Sequence, residues 1–97
     1  MTLAEILLDI HACEEDMLRY ERKYGVRSAT FYESYMQGDE PPEGASVLDW
    51  AGWAGIYTIW LERQQQYIEA IQLLRRQTPL IRIIERAVQH DAISVPA

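Results

Sequence analysis

The stretch from Ser46 to Gln77 constrains the fold more than any other, because it contains all three tryptophans and no proline. Ser46 can cap free backbone N–H groups at the start of a helix, and Asp49 can reach back to it in a capping box. At 100° per residue, the apolar side chains cover a sector about 160° wide, broader than a coiled-coil seam. We therefore predict one helix over 46–77 that serves two neighbouring helices.

Two glycines, Gly52 and Gly55, interrupt this helix behind the tryptophans. Each glycine inside a helix costs about 1 kcal/mol relative to alanine. Removing two side chains from one patch lets another backbone approach closely. We predict that both are close-packing positions, either against a helix of the same chain or as a docking patch for a partner.

The first helix is predicted over 2–24. Thr2 and Glu5 have the capping-box spacing, and apolar residues then recur every three or four positions as far as Tyr24. Gly25 follows where a helix commonly ends on a left-handed residue. Cys13 lies on the apolar seam of this helix, where a thiol behaves as a small hydrophobic group with suppressed ionisation.

Two shorter helices complete the prediction. Ser28 is a suitable cap for a helix over 28–37, and Thr78-Pro79 is a typical start for one over 79–90. The acidic turn between 39 and 44 contains Pro41 and Pro42 and cannot be helix. The predicted fold is a single all-α domain over 1–97, in which 2–24 and 46–77 form a long antiparallel hairpin.

Self-association follows from composition. Aliphatic and aromatic residues make up 48 % of the 97 residues, and a chain this small buries only about 60–70 % of its unfolded surface. One hairpin cannot cover both apolar faces of two long helices, so we expect either a homo-oligomer, a dimer, that completes a helical bundle or an obligate complex with another protein. We expect residues 91–97 to form a weakly ordered tail.

The net charge of −6 is unevenly distributed. Residues 1–49 contain eleven acidic residues against four lysines and arginines, whereas residues 50–97 contain four acidic residues and five arginines. This distribution argues against nucleic-acid binding, which needs cationic side chains at phosphates. It favours a small basic protein as partner.

Localisation is expected to be cytoplasmic. A single cysteine suits a reducing compartment, and no signal peptide is apparent at the start of the chain. The charge-free stretch from Ala51 to Leu61 is too short to cross a bilayer, so no membrane partner is expected.

No enzyme is predicted, since the sequence shows no glycine-rich phosphate loop, zinc spacing or Ser/His/Asp set. His11, Glu14 and Glu15 are a metal-site candidate on one helix. Di-iron bundles, however, use the order Glu-x-x-His on paired helices, and the order here is reversed. We expect solvated charges there and no cofactor.

Several short motifs resemble a known family. Tyr24-Gly25, Ser28 and Phe31-Tyr32 fit a YG-x-x-S-x-x-FY pattern, followed by an acidic turn and Asp49-Trp50-Ala51. Over roughly residues 15–70 the chain resembles small acidic helical antitoxins of prokaryotic two-gene toxin–antitoxin modules. The resemblance implies a protein that binds and silences a small co-encoded toxin, often an enzyme that acts on RNA.

The residues expected to bind such a partner combine aromatic anchors with flanking acids, because tryptophan and tyrosine are enriched at binding hot spots. They are Phe31, Tyr32, Tyr35, Asp39, Glu40, Asp49, Trp50, Trp53 and Tyr57. Helical spacing equally suits an aromatic core. The alternative hypotheses are therefore a homo-oligomeric helical scaffold or adaptor, and a metal- or ligand-binding helical bundle.

Overall fold

The chain folds into four helices in a computed structural model that describes residues 1–42, 44 and 46–95. They are α1 (Leu3–Tyr24), α2 (Ser28–Met36), α3 (Ser46–Gln77) and α4 (Leu80–Val88). The predicted all-α hairpin with two short helices is confirmed, and each helix end lies within two residues of its predicted position. Assembly into an oligomer remains a prediction. None of these helices is both long and apolar enough to span a membrane.

Local signals set the ends of α1 as predicted. The Thr2 hydroxyl accepts the Glu5 N–H at 3.2 Å, and the Glu5 carboxylate accepts the Thr2 N–H at 3.1 Å. This hydrogen bond from the Thr2 backbone, assisted by the Thr2 hydroxyl, lowers the pKa of Glu5. At the other end Gly25 is left-handed (φ 77°) and donates its N–H to the Glu21 carbonyl at 2.8 Å.

α1 packs antiparallel along α3. Polar contacts show the reversed order, since Tyr24 at the end of α1 binds Asp49 near the start of α3. Further along, Asp9 near the start of α1 accepts a hydrogen bond from Arg63 at 2.9 Å. Ile6 and Ile10, which lie on either side of Asp9 in the sequence, are buried.

The molecule measures 51 × 23 × 19 Å and has a separate core cluster at each end. The aromatic cluster unites α1, α2 and α3 around Met17, Phe31, Trp53 and Ala54. The aliphatic cluster joins α1, α3, α4 and the chain after α4 through Leu3, Ala70, Ile83 and Ile93. The site that the sequence predicts falls at the aromatic end.

The segment after α4 returns to the start of the chain instead of extending away from the fold. Ile93 is buried, and its carbonyl accepts the Leu3 N–H at 2.9 Å. Thr2 and Ser94 form an isolated antiparallel bridge beside it. The segment that we expected to be a weakly ordered tail therefore contributes one residue, Ile93, to the core. Pro96 and Ala97, the end of that tail, lie outside the described residues, as does Glu43 of the acidic turn.

Two predicted helix caps have other roles. Arg27 is the N-cap of α2, and Ser28 is already the first helical residue, with its side chain buried. Asp49 directs its carboxylate to α1, because an ammonium and a phenol there offer stronger hydrogen bonds than a backbone N–H. Both side chains thus join helices together instead of capping one.

Candidate functional site

Trp53 is the centre of the aromatic end. Its side chain is completely buried, and its indole N–H donates to the Ser28 hydroxyl at 2.9 Å. Ser28 in turn donates its backbone N–H and its hydroxyl to one carboxylate oxygen of Glu21, at 2.7 and 2.9 Å. This chain of hydrogen bonds satisfies a buried donor and connects all three helices at one point.

Aromatic rings enclose Trp53 on several sides. Phe31 stacks on it in parallel at 3.9 Å between centroids, while Tyr20 and Tyr24 stack at 5.6 and 5.7 Å. Trp50 meets Phe31 edge-on at 5.3 Å. The predicted partner contacts at Phe31 and Trp53 are corrected by this geometry, because both side chains are buried in the core and present no contact surface.

Asp49 is also engaged within the chain. One of its oxygens accepts hydrogen bonds from the Lys23 ammonium and the Tyr24 hydroxyl, both at 2.6 Å. These two hydrogen bonds lower the pKa of Asp49, and the contact with Asp49 raises the pKa of Lys23. The prediction of Asp49 as a flanking acid for a partner is therefore revised, since its charge is paired at the junction of α1 and α3.

An open cleft lies where the end of α2 and the acidic turn meet the first turns of α3. It has a volume of about 320 Å³. We call it the acidic–aromatic cleft, and its lining residues are Tyr35, Asp39, Glu40, Pro41, Val47, Trp50 and Ala51. The structure therefore brings together four of the predicted partner-binding residues, two acidic and two aromatic.

The indole N–H of Trp50 is buried and has no acceptor among the residues that the structure describes. Leaving a buried donor unpaired costs about 1–3 kcal/mol, and such groups are rare in folded proteins. Trp50 lines the acidic–aromatic cleft. The N–H itself is closed off from solvent, so no group outside the chain reaches it in this conformation.

Local geometry holds Asp39 at the rim of the cleft. The Ser34 hydroxyl donates to the Asp39 carboxylate at 2.5 Å, and the Asp39 N–H donates to the Ser34 carbonyl at 3.2 Å. Gly38 makes this turn possible with φ of 90°. Asp39 and Glu40 both remain exposed to solvent, so the cleft has a negatively charged edge.

Tyr32 and Tyr57 are placed apart from the cleft. Their rings contact each other at 4.8 Å, and Tyr57 stacks further on Trp60 at 5.7 Å. Tyr57 lines a second groove, of about 280 Å³, between α1, α2 and α3. In this groove the Glu21 carboxylate already accepts a hydrogen bond from Ser28. Eight of the nine predicted residues thus fall into a core, a cleft and a separate aromatic pair, and the ninth, Asp49, links α3 to α1.

The two glycines of α3 differ. A Cβ at Gly52 would lie 3.1 Å from the Tyr20 hydroxyl, so α1 approaches α3 closely at this position. A Cβ at Gly55 would meet no side chain or neighbouring helix of the described residues within 4 Å. Its other predicted role, in docking a partner, remains a prediction.

The metal-site candidate finds no support in the geometry. Across the described ranges, no three histidine, cysteine, aspartate or glutamate side chains are grouped closely enough to hold a metal ion. Cys13 is half-buried, and burial, followed by the nearby Asp9 and Asp16 carboxylates, raises the pKa of its thiol. This environment disfavours the thiolate that a nucleophile requires.

Sequence reasoning missed the buried polar contacts of Glu21, Ser28 and Tyr24. Their partners lie up to 25 positions away, so no local pattern could reveal them. The only available signal was the occurrence of Ser28 and Tyr24 in the motif that resembles antitoxins.

No family model matches this chain, and neither curated proteins nor solved structures gave a match.

Proposed function

We propose that the chain is a non-enzymatic protein-interaction module of the antitoxin type, which binds and neutralises a small basic partner through the acidic–aromatic cleft. The observation that carries the proposal is a cleft in which the exposed carboxylates of Asp39 and Glu40 edge the aromatic rings of Tyr35 and Trp50. The resemblance of residues 15–70 to antitoxins supports the nature of the partner.

The chemistry of the cleft suits a basic side chain. Asp39 and Glu40 offer carboxylates to a lysine or arginine, and a guanidinium pairs with such groups in a bidentate manner. The rings of Tyr35 and Trp50 add an apolar floor on which a cation can lie.

A growth assay tests whether the partner is a toxin. Each gene that neighbours this one in its genome is induced alone and together with it, and colonies are counted. The proposal predicts that one neighbour prevents growth and that co-expression of this chain restores it. If no neighbour is toxic, or if rescue fails, the antitoxin proposal is refuted.

Variants of the cleft then test the site. Trp50→Phe makes the aromatic floor of the cleft smaller but keeps a ring, and the pair Asp39→Asn with Glu40→Gln removes two charges without loss of size. We expect both to weaken rescue and to lower affinity for the purified toxin by about 10- to 100-fold. Glu69→Gln, a neutralised exposed acid on α3 outside the cleft, is the matched control and should rescue fully.

A further inference from the structure

The apolar face of α4 is only partly covered. Ile83 is the single buried residue of this helix and belongs to the aliphatic cluster. Leu80, Ile84 and Val88 follow at intervals of four and form a row along the helix, with Ile81 beside it. All four are exposed, from 44 % at Leu80 to 71 % at Val88. We call this surface the α4 row.

The total surface of the chain is larger than a monomer of its mass usually exposes. Its accessible area is 6957 Å², whereas the scaling of area with mass predicts about 5,700 Å² for 11.3 kDa. The difference of roughly 1,300 Å² exceeds the ~800 Å² that each partner buries in a standard interface. This excess is spread over an elongated chain, and the exposed α4 row is part of it.

We infer that the α4 row packs against the α4 row of a second copy. A row of residues spaced by four is one of the ridges through which helices pack. With a two-fold axis at Ile84, Leu80 of one copy meets Val88 of the other, and Ile84 meets itself. The contact is thus complementary to itself, as symmetric dimers require.

Charge favours a second copy at this end of the molecule. Because α1 runs antiparallel to α3, the α4 end contains the start of α1 and the end of α3. Residues 1–10 and 63–97 contain five acidic residues and five arginines, whereas residues 11–62 contain ten acidic residues and four lysines and arginines. Beside the row, Arg82 pairs with Glu85 at 2.8 Å. Two copies therefore meet at ends with little net charge and leave their acidic cleft ends apart.

Sedimentation velocity over a range of concentrations tests the inference. The wild-type chain should form dimers, and Ile84→Glu should raise the dimer dissociation constant on the order of 100-fold, since it places an unpaired charge in the contact. Leu48→Glu is the matched control, because this leucine is 82 % exposed at the start of α3, at the aromatic end. It should leave the dimer unchanged.

Oxidative cross-linking provides a second measurement that does not depend on how Ile84→Glu folds. In a Cys13→Ser background, Ile84→Cys should give a covalent dimer with copper–phenanthroline as oxidant, and Leu48→Cys should not. A wild-type chain that stays monomeric at every concentration overturns the inference. So does a dimer that tolerates Ile84→Glu and fails to cross-link through Ile84→Cys. The inference does not depend on the proposed function, since it concerns the other end of the molecule.

Discussion

The substitution Ser28→Ala isolates the hydrogen bond that joins α2 to Trp53. It removes the acceptor of a completely buried indole N–H and one of the two hydrogen bonds that Ser28 donates to Glu21. Because no water reaches the indole, the cost is that of an unsatisfied buried donor, about 1–3 kcal/mol. Alanine fits the position without a clash, so the lost hydrogen bonds should dominate the effect.

The magnitude can be measured by unfolding in urea and by heating, followed by far-UV circular dichroism and tryptophan fluorescence. For a domain of this size each 1 kcal/mol lowers Tm by about 4–8 °C, so a loss of about 2 kcal/mol lowers it by about 8–16 °C. Ser34→Ala is the matched control, because the same residue type in the same helix makes an exposed hydrogen bond to Asp39. If Ser28→Ala costs no more than this control, the reasoning that Trp53 depends on Ser28 is refuted.

Three further outcomes test the account of the core. Trp53→Ala should cost about 3–5 kcal/mol and abolish cooperative unfolding, because it empties the centre of the aromatic cluster; a folded, stable variant in calorimetry would contradict this. Gly55→Ala should stabilise the chain by about 1 kcal/mol in urea unfolding, whereas Gly52→Ala gains less because its Cβ meets Tyr20. Hydrogen bonds from Lys23 and Tyr24 lower the pKa of Asp49 in the folded state. The stability that Asp49 contributes is therefore complete at neutral pH and is lost as pH falls below the ordinary pKa of 3.8. Asp49→Asn should flatten this part of a plot of Tm against pH.

The helices were predictable because their ends depend on nearby residues. The Thr2–Glu5 capping box and the left-handed Gly25 are contacts within four positions, and both occur as the sequence indicates. The role of Ile93 was not predictable, because its burial depends on the first turn of α1 at the other end of the chain. Periodicity shows which face of a helix is apolar, but it does not show which distant segment covers that face.

The candidate site was likewise predictable only in part. Proximity in the sequence and chemical type were sufficient to select Tyr35, Asp39, Glu40 and Trp50, which line one cleft. They could not separate Trp50 from Trp53, since both lie on the inner side of α3. The difference arises from Phe31, which stacks flat on Trp53 and touches Trp50 only with an edge, so one indole is enclosed and the other lines an opening.

The residues that carry the resemblance to antitoxins fall into two groups, those in the core and those at the cleft. Tyr24, Ser28, Phe31 and Asp49 make contacts inside the aromatic end, so packing within this chain accounts for these residues of the motif. Packing alone gives no reason for the charged rim of the cleft. Neutralisation of Asp39 and Glu40 should therefore leave stability unchanged while it weakens rescue from a toxin. If stability falls in parallel with rescue, the acidic turn belongs to the fold, and the resemblance would carry no information about a partner.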